Sequence, residues 1–352
     1  MNSVVVVESP AKAKTIEGYL GDSYSVIASF GHIRDVEDKD GAVTPGSWSD
    51  IKWVINKKGK KQVKEILSLL KKADQLILAT DPDREGEAIA WHIYEVLNQK
   101  GALQDIEVSR AVFNSITKSS VLEAIQNPRA IDQDLVDAYL TRRVLDHLIG
   151  FKVSPLLWRH VSRAKSAGRV QSPTLRIICE KEDERDAHVS KEFWPLKATF
   201  TFEESKFDAD LVSINDRNLS KDQLNNEEEV NEVIEELDKC SFLLSEVETK
   251  PQSSSPKPPF RTSTLQMAAS SSLGFSADRT MNNAQKLYEG GLITYLRTDG
   301  ISISTSPNTG DPFSEQNPGP PPLHEIRNLI SDKFGNSYLS EKIRVYKGKV
   351  VN

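Results

Sequence analysis

The chain is 352 residues long, with 38% hydrophobic and 27% charged residues. That length allows about two domains or more, and that balance excludes disorder along the whole chain. The formal net charge is −6, which on average disfavours a polyanionic partner, and no apolar run approaches the ~20 residues that cross a bilayer.

Val4–Val7 is a β-branched run, expected as a buried parallel strand, and no basic leader precedes it, so no signal peptide is expected. Ser9-Pro10 reads as a turn, followed by a helix from about Ala11 to Leu20 and a strand over Tyr24–Phe30. The stretch rich in Gly, Asp and Ser from Asp35 to Trp53 reads as an excursion. Within Val63–Lys72, Val63, Ile66, Leu67 and Leu70 share one helical face. Leu76–Ala79 is a second buried strand, with a helix from about Arg84 to Gln99 after it. This alternation predicts an α/β domain with a parallel sheet over roughly the first 125 residues. Asp134–Asp186 reads as mostly helical, with a break around Ser162–Ser172. Lys197–Phe202 and Lys206–Val212 alternate like antiparallel strands, and Glu227–Leu237 is an acidic helix. Pro251–Pro259 is a Pro/Ser-rich linker or hinge strand. Thr264–Glu289 is helical, Leu292–Arg297 a short strand, Asn308–Pro322 a flexible loop and Leu323–Phe334 a last helix.

The charge is segregated. From Ala138 to Arg176 there are eight Lys/Arg (Arg142, Arg143, Lys152, Arg159, Arg163, Lys165, Arg169, Arg176) against one acid, Asp146. These cations are interleaved with Leu156, Leu157, Trp158 and Ser166-Ala167-Gly168, which joins charge to apolar contact surface. A second basic run, from Lys57 to Lys72, reads equally as a solvated helix face. The two cysteines, Cys179 and Cys240, lie far apart with no metal-ligand spacing, which excludes a disulfide framework and a zinc site and points to a reducing compartment.

The chemistry concentrates in Asp81-Pro82-Asp83-Arg84-Glu85-Gly86-Glu87, at the carboxyl end of a strand and the start of a helix. Open α/β sheets bind ligands at that edge. Carboxylates crowded on one turn repel one another, and a hard divalent cation relieves the repulsion. Glu8, at the end of the first strand, faces the same edge if the two strands are neighbours. The competing reading is a helix cap by Asp81 or Asp83. No G-x-x-x-x-G-K-[ST] is present, which disfavours a nucleotide-driven motor.

These residues carry a resemblance. Val6-Val7-Glu8-Ser9-Pro10-Ala11-Lys12-Ala13-Lys14-Thr15 resembles the opening of the bacterial type IA DNA topoisomerases, in their topoisomerase I branch. Asp81–Glu87 resembles their Toprim acidic motif, and Ser166-Ala167-Gly168-Arg169-Val170-Gln171-Ser172 their DNA-gripping segment. Gly291-Leu292-Ile293-Thr294-Tyr295-Leu296-Arg297-Thr298-Asp299 resembles the segment with their nucleophilic tyrosine. The resemblance implies a multidomain α/β plus α chain. Its parts are a Toprim domain over 1–125 with an excursion at about 35–60, a helical DNA-binding domain over 126–193, a partial β arch or hinge over 194–260, and an incomplete helical domain over 261–352 that bears the tyrosine.

The implied reaction is ATP-independent relaxation of underwound DNA through a 5′-phosphotyrosine. Tyr295 resembles the nucleophile, Arg297 its partner at the scissile phosphate, and Glu8 the acid that assists the 3′-oxygen. Glu8, Asp81, Asp83 and Glu85 resemble Mg²⁺ ligands, and Lys12 and His32 phosphate contacts. Gln285, Glu289, Thr298 and Asp299 resemble supporting residues. Arg142, Arg143, His147, Lys152, Arg159, Ser166, Ala167, Gly168, Arg169, Val170, Gln171 and Arg297 fall where the family binds DNA, although each arginine serves equally in a structural ion pair. The expected partner is single-stranded or underwound DNA, with no membrane and no ATP, and the expected state is a monomer, cytoplasmic and nucleoid-associated. Three departures stand out: Gly300 where the family usually has Ser, Ala138–Thr141 with His147 where it carries glutamines and a further arginine, and an end at Asn352 before a segment with another histidine. A C-terminal truncation is therefore expected, with a DNA-cleaving fragment that lacks relaxation activity as the alternative. Another Toprim protein, a nuclease or primase, is disfavoured by Thr294–Asp299.

Overall fold

The valine run forms the middle of a sheet. In the computed structural model, which describes residues 2–44, 50–220, 224–252, 254, 256–301 and 321–340, strands β1 (Ser3–Val7), β2 (Tyr24–Ala28), β5 (Gln75–Leu78) and β6 (Glu107–Arg110) lie in the order β2-β1-β5-β6. Every pairing in it is parallel. Alternate side chains of β1 feed two cores. Val5 and Val7 pack with Ile16, Ile77, Ala111 and Ile116 on one face, and Val4 and Val6 with Ile66, Leu76, Leu78 and Ile93 on the other.

Helices α1 (Pro10–Glu17), α2 (Lys57–Leu70), α3 (Arg84–Gln99) and α4 (Lys118–Gln126) start where side chains cap them: Ser9, Asn56, Asp83 and Thr117 each accept a first-turn amide. Helix α2 begins six residues before the expected start, because Asn56 supplies the cap. Its lysines face solvent and Val63, Ile66 and Leu70 face the core. The excursion contains an antiparallel pair, β3 (Arg34–Val36) with β4 (Trp53–Ile55). It packs with Val136, Tyr139, Leu140 and Val144 of α5 (Gln133–Leu148) in a third core. A π-helical turn over Ile149–Val153 joins α5 to α6 (Ser154–His160).

The chain divides into two compact units, Met1–Arg169 with Pro256–Asn352, and Val170–Ser255. The second unit holds α7 (Gln171–Asp186), a hairpin of β7 (Lys197–Phe202) with β8 (Ser205–Asp210), and α8 (Glu227–Leu237). Phe200 stacks on Phe207 at 5.4 Å and meets the edge of Phe242 at 5.1 Å.

The first unit resumes with α9 (Thr262–Leu273), α10 (Ala277–Glu289) and α11 (Pro321–Phe334). Two expectations need correction here. Thr264–Glu289 is two helices, because Gly274 takes a left-handed conformation (φ 64°) and ends the first. Leu292–Arg297 is not a strand: it is a series of turns and bends, whose Tyr295 amide donates to the carbonyl of Asn114 at 2.7 Å. Tyr295 and Leu296 are buried against the sheet domain while Leu292 is 73% exposed, so the segment's apolar residues do not line up along a partner strand. Most of the expected loop at Asn308–Pro322 lies outside the described residues.

Candidate active site

Neighbouring strands deliver the first acids. Glu8 follows β1 and Asp81 follows β5, and the Glu8 carboxylate accepts the backbone N–H of Asp81. Asp83 caps α3, its Oδ1 accepting from the amides of Glu85 (3.1 Å) and Gly86 (2.8 Å). The cap reading is therefore right for Asp83, and it leaves Oδ2 to face the tyrosine. Gly86 is required because a Cβ there would collide with the backbone of Asp81.

Lys12 is only 1% exposed and bridges the two strand ends. Its Nζ donates to Glu8 Oε2 at 2.7 Å and to Asp81 Oδ1 at 2.5 Å. Burial lowers the ammonium, but Glu8 and Asp81 outweigh it and hold the group above its ordinary value. The Asp81 carboxyl is pushed up to about 6, first by burial and then by the charge of Glu8, with Lys12 opposing. Glu85 is held below the usual carboxylate range by His32, then by Arg297 and Arg142, against its own burial.

Tyr295 comes from 212 positions further along the chain, and its hydroxyl donates to Asp83 Oδ2 at 2.6 Å. Burial and then the Asp83 carboxylate push the phenol well above its ordinary range, and Arg297 pulls the other way. Arg297 Nη1 lies 3.9 Å from Asp83 Oδ2 and 3.7 Å from Glu85 Oε2. Gly291 fixes the approach: its φ is +72° and a Cβ would sit 2.5 Å from the Ile116 carbonyl oxygen. Glu289 Oε1 accepts from Ser9 Oγ (2.8 Å) and Gln285 Nε2 (3.1 Å), tying α10 to the start of α1. His32 stacks on Tyr139 at 5.0 Å, with Nε2 3.7 Å from Glu85 Oε1. Thr298 is fastened by its amide to Thr262 Oγ1, and Asp299 is exposed.

A cavity of about 300 Å³ is lined by Glu8, His32, Asp81, Asp83, Glu85, Gln285 and Arg297, among others. The fold thus gathers the expected acids, His32, Gln285 and Arg297 around one space, with Lys12 and Tyr295 hydrogen-bonded to acids of its lining. The donor set, four carboxylates at one sheet edge, fits a hard divalent cation by its chemistry. In this closed arrangement Lys12 and Tyr295 satisfy part of that set instead, and among the described residues no three acids converge in ligand geometry.

The expected DNA-contact residues are placed differently. Arg143 pairs with Asp35 at 2.7 Å, Lys152 with Asp40 at 2.9 Å, and Arg169 with Asp146 at 2.9 Å, while Arg142 lies 3.9 Å from the same Asp146. Arg159 is exposed. His147 is buried and stacks on Phe151 at 4.5 Å. Ala167 donates to Ser154 Oγ beside the exposed Ser166 and half-buried Gly168. Val170 and Gln171 are exposed in the second unit.

Sequence reasoning missed Tyr288, which is fully buried with its ring 5.2 Å from that of Tyr295 and 5.2 Å below Lys12 Nζ. It also missed Arg110 and Glu87, both fully buried. The available signal was a charge inside an apolar context: Arg110 between Val108 and Val112, and Glu87 before Ala88-Ile89-Ala90.

Carboxylates at the C-terminal edge of a parallel α/β sheet define a Toprim-type fold, and residues 3–116 match the family described as Toprim domain. Residues 130–347 match the family described as DNA topoisomerase, so the chain belongs to the bacterial DNA topoisomerase family. It is 46% identical to DNA topoisomerase 1 of Rickettsia bellii, over 99% of this chain and 43% of the relative. Against the Zymomonas mobilis DNA topoisomerase 1 the figures are 44%, 99% and 28%. Full-length topoisomerase I of Thermotoga maritima superposes with a TM-score of 0.72 at 36% identity, over 96% of this chain and 54% of that one. The chain therefore spans less than half the length of the two curated relatives. Among the described residues, no helix is long and apolar enough to cross a membrane.

Proposed function

We propose that these residues form the cleavage and religation centre of a type IA DNA topoisomerase. Tyr295 Oη attacks a backbone phosphorus, forming a phosphotyrosine while the P–O3′ bond breaks. The phenolic proton passes to Asp83 Oδ2, its hydrogen-bond acceptor in the closed arrangement, and the leaving 3′-oxygen takes a proton from Glu8. Religation returns both protons. Arg297 stabilises charge on the phenolate and on the transferring phosphoryl group. Glu8, Asp81, Asp83 and Glu85 are the proposed holders of Mg²⁺, which when bound supplies positive charge beside the phosphate. Lys12 and His32 contact phosphate, and Gln285, Glu289, Thr298 and Asp299 support the segment. Arg142, Arg143, His147, Lys152, Arg159 and residues 166–171 grip single-stranded DNA once the cations exchange their acidic partners for phosphates.

The observation that carries this reading is the Tyr295–Asp83 hydrogen bond: a phenol and an acidic pocket distant in sequence meet at 2.6 Å. The test is trapping a covalent adduct on a single-stranded oligonucleotide in Mg²⁺. The adduct is expected to carry a 5′-phosphotyrosine and to vanish in Tyr295→Phe, and an adduct that survives that change sinks the proposal. ATP independence, a monomeric state, a cytoplasmic nucleoid location and the four-part domain division belong to the same reading. The alternative reading is cleavage of single-stranded DNA without relaxation. Relaxation of negatively supercoiled plasmid separates the two.

A further inference from the structure

Behind the acidic loop lies a second charged assembly, whose side chains lie outside the lining of the cavity. Glu87, on α3, is fully buried and accepts four hydrogen-bond donors. Arg110 Nε reaches it at 3.1 Å, Arg129 Nη1 and Nη2 each at 2.8 Å, and the amide of Asp132 at 2.7 Å. Arg110 in turn grips the backbone of the acidic loop. Its Nη1 donates to the carbonyls of Leu78 (2.9 Å) and Ala111 (2.7 Å), and its Nη2 to the carbonyl of Asp81 (2.6 Å). A continuous path therefore runs from Arg129 through Glu87 and Arg110 to the residue that opens the acidic motif.

Asp132 caps α5, the helix bearing Arg142 and Arg143, so the same carboxylate also fixes the start of that helix. The side chain of Arg129 is 37% exposed, whereas that of Arg110 is wholly enclosed. Arg129 is thus the member whose removal admits water without leaving a cavity. Its main-chain pairing with Arg110, at 2.8 and 2.9 Å, does not depend on the side chain.

We infer that Arg129 is a positioning residue for the acidic loop: through Glu87 and Arg110 it fixes the Asp81 carbonyl and so sets the affinity of the pocket for a divalent cation. The inference rests on the proposed reading of that pocket as a cation site. Without the bidentate clamp Glu87 gains rotational freedom, Arg110 loses its fixed counter-charge, and Asp81 samples more positions, which weakens a site that needs several oxygens held together.

The experiment is Mn²⁺ titration of the 352-residue chain without DNA, read by electron paramagnetic resonance, with the signal assigned to this pocket by its loss in Asp83→Asn. Arg129→Gln is expected to weaken Mn²⁺ binding about tenfold, and Arg129→Lys, which keeps the charge but not the fork, about threefold. Oligonucleotide affinity in EDTA reports separately on the start of α5 and is expected to change less than Mn²⁺ affinity, because no cation is bound there. Mn²⁺ binding by both variants indistinguishable from the unsubstituted chain overturns the inference. If Arg129→Gln does not fold, Arg129→Lys decides alone by the same criterion. If the unsubstituted chain binds no Mn²⁺ at this pocket, the reading of the pocket itself fails and the inference with it, an outcome seen before any variant is compared.

Discussion

Asp81 is held in a costly place. Its carboxyl is buried beside Glu8 and pushed up to about 6 from an ordinary 3.8. A carboxyl whose value is higher folded than unfolded binds more protons in the folded state. Its stabilising contribution is present below about pH 4 and is lost as pH rises through about 6. A displacement of that size corresponds to roughly 3 kcal/mol at most, and the Lys12 partnership already opposes it. Asp81→Asn is therefore expected to gain on the unsubstituted chain between about pH 4 and pH 7, melting at the same or a lower temperature in acid and some degrees higher at neutral pH. Thermal melts in EDTA across that range check this, and a difference that does not vary with pH contradicts it. Tyr295 sits under an opposite demand. On the proposed reading its raised phenol needs Arg297 and the substrate before it ionises, so Arg297→Gln is expected to cut adduct formation by about 100-fold, read as a single-turnover rate.

At the scale of elements, the basic helix α5 and the segment after α6 hold cations in ion pairs, which on the proposed reading keeps them in reserve for DNA. Asp146 accepts from Arg169 at 2.9 Å and lies 3.9 Å from Arg142. These groups are about a third exposed, so the pairs contribute little to stability, ~0–1 kcal/mol each. Asp146→Asn is expected to leave the fold intact, to raise single-stranded oligonucleotide affinity several-fold at low salt, and to steepen its salt dependence by about 0.7 for each further phosphate neutralised. Unchanged affinity and slope point to arginines that serve only the fold. The sheet and its first helices were legible because their signals are local: a β-branched run, a Ser, Asn or Asp cap, an apolar face at helical spacing. The short strands β3, β4 and β6 carry no such pattern, and β6 depends on Arg110, whose charge only makes sense beside a Glu87 buried 23 residues earlier. The acidic motif was visible as a motif, but the capture of its carboxylates by Lys12 and Tyr295 was not, since the first needs the neighbourhood of β1 and β5 and the second an encounter across 212 positions. The tyrosine segment failed as a strand for the same reason: Tyr295 and Leu296 are buried by a surface that only the fold creates.

For the first unit as a whole, the tyrosine segment and α10 are part of the sheet domain's own core. Ala284, Tyr288, Tyr295 and Leu296 share one apolar cluster with Val5, Val7, Ile16 and Ile77. On the proposed reading, strand passage requires this segment to leave that cluster, while β1 and β5 stay paired. The two events must then differ in free energy, the first being a partial opening below the global one. Leu296 is the place to separate them. It is 6% exposed, and its loss to alanine removes packing worth about 2–5 kcal/mol, part of which is recovered by relaxation around the site. If the segment opens by itself, Leu296→Ala lowers the cost of that opening and, by the same amount, of the global opening that includes it. Amide hydrogen exchange reads the outcome. The amide of Tyr295, held by the Asn114 carbonyl, and that of Leu292, held by the Leu287 carbonyl, are expected to be protected at least about tenfold less than the amides of β1 and β5 in both the unsubstituted chain and the variant, and to exchange at least about tenfold faster in the variant. Equal protection at all of these positions means that the segment and the sheet unfold together, and the closed arrangement is then a fixed part of the domain rather than a gate.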